Sequence, residues 1–482
     1  MQTLALLSTR GFWNFRKRNQ ERLSRAISEG LEEFKTLNGD WKLIWGPGTY
    51  RYLGSAFDSS MMFVVQNTRH PARFAIVVRG TNPVDVYDWL LGDFLAHRQV
   101  PWHPSEIDVA PGAKLSLSTA LGLKILLNMH AENDPAQISD PGNPGKFDYL
   151  LDHSATAASA IQQAGEASLA KADDLLSASP KAPPYDKFRK LARKLRKYQK
   201  KYRKLQGMVE QVIGNVTFKV GETLNVEDVV RVLKLRKRLL KTLDKTLGSF
   251  TEVPVAMLMP DPDVLSEEPS SGTGLLELLA SLAEIHGDKL ELFVTGHSKG
   301  GALAPALALF LSDTQRNNEI PVPHHYQWNP SHQAKISCYA FAGPTPGNTA
   351  FANYFNQQLG RHFFRYANKL DLVTLAWQSE QLRTIAGLYG DSVDSVPGLD
   401  LLFTEMAEEV ENLDYCHPGE DYPVIGILGR QMEKHVIEFS GPLKKNISSY
   451  MVQEVHQHIA AYIEFLDLDD VLDLKDLIGL KA

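Results

Sequence analysis

The segment LELFVTGHSKGGALAPALALFL, residues 290–311, constrains the fold of this chain more than any other stretch. An apolar run typical of a buried strand is followed almost at once by small residues typical of a closely packed helix. The join carries the pattern G-x-S-x-G, with Gly296, Ser298 and Gly300 at its fixed positions. Small residues are needed there because the strand and the following helix nearly collide at so tight a turn. The segment therefore predicts a strand–turn–helix unit with the hydroxyl of Ser298 at its tip.

Strand-like and helical stretches alternate at both ends of the chain. Near the N-terminus, two apolar runs are separated by TRHPA (68–72), a typical hairpin connection. Further along, a helical run ends at Gly287, and two buried strand-like runs, KISCYAFAG (335–343) and HFFRYANKLDLV (362–373), follow the serine segment. Strands that alternate with helices predict a mostly parallel sheet, so the predicted fold class is α/β.

Two stretches near the middle of the chain are strongly basic. Residues 187–204 contain 11 Lys or Arg and no acidic residue, and residues 231–245 contain seven with a single aspartate. Both stretches space their apolar residues by three and four, which predicts amphipathic helices. They carry a combined charge of +17 in a chain of net charge −6, so the rest of the chain carries −23.

These basic stretches belong to a long insertion that interrupts the α/β pattern. Pro-rich loops, an Ala- and Ser-rich run and the basic helices do not continue the alternation of strand and helix. We therefore predict an α/β core formed by residues 1–100 and 271–482. Residues 101–270 are predicted to form a large helical cap or lid, named the insertion below.

Cysteine content and hydropathy exclude several classes of protein. Cys338 and Cys416 are the two cysteines, too few for a disulfide framework and without the spacing of a zinc site. They are predicted to be free thiols, with a single bridge between them as the alternative. No apolar run reaches the ~18 residues of a membrane-spanning helix, and the first residues lack the charge order of a Sec signal. We expect a soluble protein, cytoplasmic or exported by a non-Sec route.

A nucleophilic Ser298 requires a base, an acid that orients this base, and donors for an oxyanion. In α/β-hydrolases the acid and then the histidine follow the serine along the chain. The acids after the serine include Asp371, in a loop after a strand-like run, and Asp391 and Asp394, in a longer irregular stretch. The histidines that follow Asp371 are His417, His435, His456 and His458.

Several segments resemble the class 3 lipase family, the fungal-lipase-like triacylglycerol lipases. They are VVRGTNPVDVYDWLLGDF (77–94), VTGHSKGGALA (294–304), FAGPTPGN (341–348), FFRYANKLDLVTL (363–375) and EVHQHIAAYIEFL (454–466). The family usually has leucine where Lys299 follows the serine, and a glycine where this chain has Ala342. The resemblance implies an α/β-hydrolase fold with a mostly parallel central sheet, and it does not extend to the insertion.

The resemblance also assigns roles to individual residues. It implies that Asp371 is the orienting acid and that the base is His458, with His456 as the second choice. It implies that the oxyanion hole consists of the backbone N–H groups of Thr81 and Lys299. Trp89 and Asp93 lie further from Thr81 than the family spacing, so the resemblance does not establish that Asp93 orients the threonine.

These residues predict a serine carboxylic ester hydrolase that cleaves acylglycerols or related lipid esters through an acyl-enzyme. The predicted mechanism uses neither a metal ion nor an organic cofactor. The alternatives within this class are a phospholipase and a short-chain esterase. The alternative from another class is a catalytically inactive, hydrolase-like binding protein.

The basic helices of the insertion and the side chain of Lys299 leave several interpretations open. The helices can pack their apolar stripes together, attach the protein to an anionic lipid surface, or dock on the acidic remainder of this or another subunit. Nucleic acid is not an expected partner. Lys299 is interpreted as either solvated or paired with an acid such as Asp85, Asp88 or Asp93, and we favour the pairing.

Overall fold

The computed structural model describes the two ends of the chain and little of the insertion. The described residues are 1–8, 20–50, 60–81, 95–104, 108–131, 234, 237, 272–315, 326–330, 333–390, 398–419, 450, 453–454, 456–466 and 468. The helices within them are α1 (Gln2–Leu7), α2 (Gln20–Glu33), α3 (Leu117–Leu127), α4 (Leu275–His286), α5 (Lys299–Thr314), α6 (Thr349–Leu359), α7 (Ser379–Leu382), α8 (Leu399–Val410) and α9 (Ala461–Phe465). A π-helical turn, His456–Ala460, leads directly into α9.

The strands within the described residues form three sheets. The strands are β1 (Trp41–Tyr50), β2 (Ser60–Asn67), β3 (Arg73–Val78), β4 (Gln99–Pro101), β5 (Lys114–Ser116), β6 (His130–Ala131), β7 (Thr273–Gly274), β8 (Glu291–His297), β9 (Lys335–Phe341), β10 (Gly347–Asn348), β11 (Phe363–Tyr366) and β12 (Tyr415–Cys416). The central sheet has six strands in the order β1-β2-β3-β8-β9-β11. Strands β3, β8, β9 and β11 run parallel, and the β1–β2–β3 meander is antiparallel. The predicted α/β class and mostly parallel sheet are confirmed.

The register of the parallel strands brings their carboxyl ends to one edge. Val78 of β3 pairs with Gly296 of β8, while His297 pairs with Phe341 of β9, which in turn pairs with Tyr366 of β11. Ligand and catalytic sites in open α/β sheets lie at this edge, in the loops that follow the strands. The loops that contain the predicted site residues therefore begin at the same edge of the sheet.

The sheet separates two hydrophobic cores, as the alternation of side chains along β3 illustrates. Phe74, Ile76 and Val78 face a core built with α3, α4, α5 and α6, whereas Ala75 and Val77 face a smaller core with α1 and α2. All five side chains have no exposed surface, which explains the continuous apolar run in the sequence. Burial of each large aliphatic side chain contributes about 1.5–3 kcal/mol to the free energy of folding. The sheet is therefore a stable support for its loops.

Residues 108–131 lie in the core, although the predicted insertion begins at residue 101. Leu117, Leu123 and Leu126 are buried with the helices that cover the sheet, and the Trp102 indole donates to Asp313 of α5 at 3.0 Å. Their apolar side chains fill the space beside α5. We therefore propose that the cap begins after residue 131, within residues that lie outside the described ones.

Beyond residue 131, the described residues of the insertion are Lys234 and Lys237, and Lys237 contacts the core. Lys237 forms an ion pair with Glu405 of α8, and Glu408 and Glu409 lie near enough to raise the lysine pKa further, after the hydrogen bond to Glu405. This contact agrees with docking of the basic segment on acidic residues of the same chain.

No helix in the described part of the chain has both the length and the apolar character needed to cross a membrane. Cys338 and Cys416 are free thiols.

Candidate active site

Ser298 forms the turn between β8 and α5 in a backbone conformation that is unusual for serine. Its φ of 60° and ψ of −131° place it in a region that non-glycine residues seldom adopt. Its N–H donates to the carbonyl of Phe341 at 3.0 Å, on the neighbouring strand β9. The conformation is held by tertiary contacts and agrees with the sharp elbow that the G-x-S-x-G pattern predicts.

The glycines of this elbow are required by close backbone approach. A Cβ atom at Gly296 would lie 2.3 Å from the carbonyl oxygen of Gly300, and one at Gly300 would lie 2.4 Å from the carbonyl oxygen of Val78. Real Cβ atoms essentially never approach other atoms so closely. The elbow is therefore fixed by backbone packing between β3, β8 and α5.

The end of β3 lies against the elbow on the side where an oxyanion hole is predicted. A Cβ atom at Gly80 would lie 3.0 Å from the Cβ of Ser298 and 2.6 Å from the carbonyl oxygen of His297. Thr81, which is half-buried, is the next residue. Lys299 is the first residue of α5, so its N–H belongs to the helix N-terminus, where amides lack partners within the helix.

The Lys299 side chain is buried, with 6% of its surface exposed. The interpretation that Lys299 is solvated is therefore wrong, because this side chain packs inside the protein. Its predicted pairing with Asp85, Asp88 or Asp93 stays a prediction, since these aspartates lie outside the described residues, as does Trp89.

Asp371 and His458 form a carboxylate–imidazole pair. The Nδ1 atom of His458 lies 3.0 Å from both carboxylate oxygens of Asp371. Asp371 is fully buried, whereas 14% of the His458 side chain is exposed. A buried carboxylate in contact with Nδ1 favours the tautomer with its proton on Nδ1, in which Nε2 is the ring nitrogen that can accept a proton.

Further donors hold the Asp371 carboxylate in position. The Val373 N–H donates to Oδ1 at 2.9 Å, and the hydroxyl of Tyr462 donates to Oδ2 at 2.9 Å. The Tyr462 oxygen accepts from the Asn368 N–H at 2.8 Å, while the Asn368 side chain donates to Gln457. The loop after β11 and the helix after the π turn are thus joined around one carboxylate.

His297 links this pair to the elbow. It immediately precedes Ser298, and its Nε2 donates to the backbone carbonyl of His458 at 2.9 Å. The two imidazole rings are 4.7 Å apart. Burial, aided by the neighbouring His458, lowers the pKa of His297 to about 3, so the ring stays neutral and keeps its donor role. His458 is therefore anchored beside the serine through the residue next to it.

Part of this arrangement falls in a segment that matches a known family. Residues 209–379 match the model of the family described as lipase (class 3). The resemblance to the class 3 lipase family is confirmed, and the match begins at residue 209, so it also covers residues 209–270 of the insertion, where no resemblance was expected. This class 3 lipase match contains Ser298 and Asp371, while Thr81 and His458 lie outside it.

Individual relatives agree with the class 3 lipase match. The chain is 27% identical over 162 residues to the galactolipase DONGLE, chloroplastic, from Arabidopsis thaliana, and the alignment spans 31% of this chain and 31% of that protein. Among solved structures, the M37 lipase crystal structure matches with a TM-score of 0.57 and 22% identity, covering 99% of this chain and 95% of that chain. The structural likeness shows that the two chains share a fold.

Two of the alternative histidines considered from the sequence, His456 and His417, are among the described residues. His456 is buried on the same π-helical turn, but the imidazole that contacts Asp371 belongs to His458. The Nε2 atom of His417 donates to the carbonyl of Thr374 at 2.9 Å, and burial holds the pKa of this ring well below its usual value. The remaining candidates, Asp391, Asp394 and His435, lie outside the described residues.

Glu454 is a site residue that the sequence did not reveal. Asp371, Glu454 and His458 bring one potential metal-ligand atom each within 4.8 Å of one another. Both oxygens of Asp371 already accept hydrogen bonds from protein donors, which disfavours a cation between these groups. Glu454 precedes His458 by four residues, the spacing of neighbours on one helix face. This was the one sequence signal that could have pointed to it.

Proposed function

We propose that this chain is a serine carboxylic ester hydrolase that cleaves acylglycerols or related lipid esters. Ser298 would be the nucleophile, His458 the general base and Asp371 the acid that orients it. The observation that carries the proposal is the Asp371–His458 pair, linked through His297 to a strained serine elbow. The class 3 lipase match over residues 209–379 supports the same chemistry.

The proposed reaction proceeds in two half-reactions. His458 removes the hydroxyl proton as Ser298 attacks the ester carbonyl, and Asp371 stabilises the imidazolium that forms. Collapse of the tetrahedral intermediate expels the alcohol, which takes the proton from His458, and leaves an acyl-enzyme. Water then attacks the acyl-enzyme with the same proton transfers and releases the carboxylic acid.

Backbone N–H groups of Thr81 and Lys299 are proposed to stabilise the oxyanion in both half-reactions. The support is positional: Gly80 packs directly on Ser298, and Lys299 begins α5. An N–H group at a helix N-terminus also benefits from the positive end of the helix dipole. Removal of one such donor typically costs about 10²–10³ in rate.

Replacement of the serine is the direct test of this function. Ser298→Ala is expected to abolish ester hydrolysis, with a loss of about 10⁶ in kcat, while thermal unfolding stays close to that of the wild type. A fluorophosphonate probe should label the wild-type protein at Ser298 and leave the variant unlabelled. An inactive binding protein, the alternative from another class, would not label at this serine.

Substrate class is the finer part of the proposal. The similarity to a galactolipase supports galactolipids, which are acylglycerols, as substrates. Phospholipids and short soluble esters are the alternatives. Hydrolysis of p-nitrophenyl esters of graded chain length, with and without an emulsion, is the test. Maximal turnover of short soluble esters, unaffected by emulsion, would favour the esterase alternative.

The basic segments of the insertion are proposed to contact anionic lipid surfaces. Lys237 lies opposite the acidic residues of α8, so lipid phosphates would compete with that face for the same cations. Binding to anionic vesicles should weaken with salt and disappear when residues 187–204 are neutralised. Binding that is indifferent to both changes would refute this contact.

A further inference from the structure

Glu454 is a second carboxyl group beside the acid–base pair, and the mechanism above does not use it. Its side chain is buried, with 8% of the residue exposed. The groups that face it are Asp371 from the loop after β11, His458 from the π-helical turn, and the hydroxyls of Tyr389 and Tyr450. A buried carboxylate next to a second carboxylate is strongly disfavoured unless it is neutral.

The hydrogen bonds of Tyr389 indicate the protonation state of Glu454. The Tyr389 oxygen lies 3.0 Å from the carbonyl oxygen of Leu370 and 2.9 Å from Oε2 of Glu454. A phenol has one proton, and a carbonyl can only accept. If Tyr389 donates to Leu370, the second hydrogen bond forms only when Glu454 is protonated and donates to the phenol.

The same two side chains contact the peptide groups on both sides of Asp371. Tyr389 bonds to the Leu370 carbonyl, and the backbone N–H of Leu372 faces the Glu454 carboxyl closely enough to lower its pKa, against the larger effect of burial. Asp371 lies between these two peptide groups. Its orientation toward His458 therefore depends on backbone that Tyr389 and Glu454 hold.

We propose that Glu454 is a positioning residue. As a neutral carboxylic acid, it acts with Tyr389 to hold the peptide groups that flank Asp371. Of the two carboxyl groups, Asp371 is then the one whose negative charge faces His458. The proposal rests on the proposed function, because it concerns the orientation of the general base. Burial, followed by the charge of Asp371, raises the pKa of Glu454 to about 8. The acid is accordingly neutral below about pH 8 and ionised above it.

Ionisation of Glu454 has two consequences for the site. The Glu454 proton no longer reaches Tyr389, so one of the two hydrogen bonds of the phenol is lost. A second negative charge also appears beside Asp371, which repels that carboxylate and favours the protonated imidazole of His458 over the free base. We expect the loss of this hydrogen bond between Glu454 and Tyr389 to decrease kcat/KM about tenfold as the pH rises through 8.

The pH profile of kcat/KM for a soluble p-nitrophenyl ester tests this role. Between pH 6 and 10, the wild type should show a decrease centred near pH 8. Glu454→Gln imitates the neutral acid, so its profile should stay near wild type below pH 7 and lack the decrease. Glu454→Ala removes the clamp and should lose activity at every pH. If the profiles of wild type and Glu454→Gln superimpose across the range, the proposal is refuted.

Asp313→Asn is the matched control for these profiles. Burial raises the pKa of Asp313 to about 7, and its oxygens accept from Trp102 and Tyr354, away from the triad. This variant removes another buried acid but should keep the decrease near pH 8. If Asp313→Asn also lacked the decrease in kcat/KM near pH 8, replacement of any buried acid would remove it through an effect on protein stability. That result would overturn the proposed role of Glu454.

Infrared spectroscopy of the wild type tests the protonation without any variant or activity. Protein labelled with ¹³C-carboxyl glutamate should show a neutral glutamic acid carbonyl band at pH 6.5 that disappears near pH 8. Absence of this band at pH 6.5 would refute a neutral Glu454. Because the band does not depend on Ser298, it separates failure of this inference from failure of the proposed ester hydrolysis.

Discussion

The elbow and the acid–base side of the candidate site are built in different ways. Around Ser298, backbone meets backbone, and hypothetical Cβ atoms at Gly296 and Gly300 collide with carbonyl oxygens. Around Asp371, side chains meet side chains, because the carboxylate accepts hydrogen bonds from Tyr462 and from His458. A side-chain atom added at either glycine would collide with backbone atoms. Removal of one hydrogen bond around Asp371 leaves the other hydrogen bonds in place. Substitutions at the two elbow glycines should therefore be all-or-none, whereas substitutions around Asp371 should have graded effects.

The largest effect on folding stability is expected from Gly300→Ala. The new methyl group would lie 2.4 Å from the carbonyl oxygen of Val78, so β3 and α5 must separate, at a cost of about 3 kcal/mol or more. Thermal unfolding and soluble yield measure the loss. The control is Gly387→Ala, where no atom lies within 4 Å of the added Cβ and the expected change is within about 0.5 kcal/mol. Equal stability of both variants would contradict an elbow set by backbone packing.

Asp371→Asn should reduce activity strongly while the fold persists. An amide keeps the shape but no longer fixes the His458 tautomer, and this change costs about 10⁴ in kcat in the well-studied triad. Steady-state kinetics and circular dichroism measure the two properties separately. The exposed Asp400 provides the control variant Asp400→Asn, which should match the wild type. A loss below tenfold would mean that another acid orients the base.

Tyr462→Phe should have an intermediate effect. It removes the donor to Oδ2 of Asp371, a hydrogen bond to a charged group worth about 1.5–3 kcal/mol, or about 10- to 100-fold in kcat/KM. Tyr415→Phe is matched to it, because Tyr415 is also buried and donates to the Ala96 carbonyl at 2.7 Å. The control should lower stability without lowering kcat/KM. If both variants lose activity equally, Tyr462 acts through stability alone.

The smallest effect on turnover is expected from Lys299→Leu. The proposed contribution of Lys299 is its backbone N–H, which the substitution retains, so kcat should stay within about threefold of wild type. Because the side chain is buried, the variant is compared with wild type by thermal unfolding as well. A hundredfold decrease in kcat with unchanged stability would show that the ammonium group contacts the reacting atoms.

The site residues that could be predicted from the sequence are those that lie in a recognisable local sequence pattern. Ser298 lies in a continuous strand–turn–helix pattern, and Asp371 follows directly from a strand, so each is visible in a single segment. The choice between His456 and His458 depended on family spacing alone. The π-helical turn explains the difficulty, because it changes the helical periodicity at these histidines.

Long-range contacts were not accessible from the sequence. Tyr389 and Glu454 are 65 positions apart, and no local pattern pairs a phenol in a loop with a glutamate near a helix. Residues 108–131 were assigned to the insertion because Pro-rich loops interrupt the strand–helix alternation there. Their place in the core depends on apolar side chains packing beside α5, and spacing along the chain does not encode which surface they cover.

The backbone of Ser298 has a consequence for when this protein becomes competent during folding. Its φ of 60° is unfavourable for serine, and the carbonyl that accepts its N–H belongs to Phe341 on another strand. An isolated strand–turn–helix segment or a nascent chain contains the motif but lacks the Phe341 carbonyl that holds this conformation. Recovery of activity during refolding therefore reports the docking of β9 on β8, and truncated chains that end before β9 should retain the motif without its reactivity.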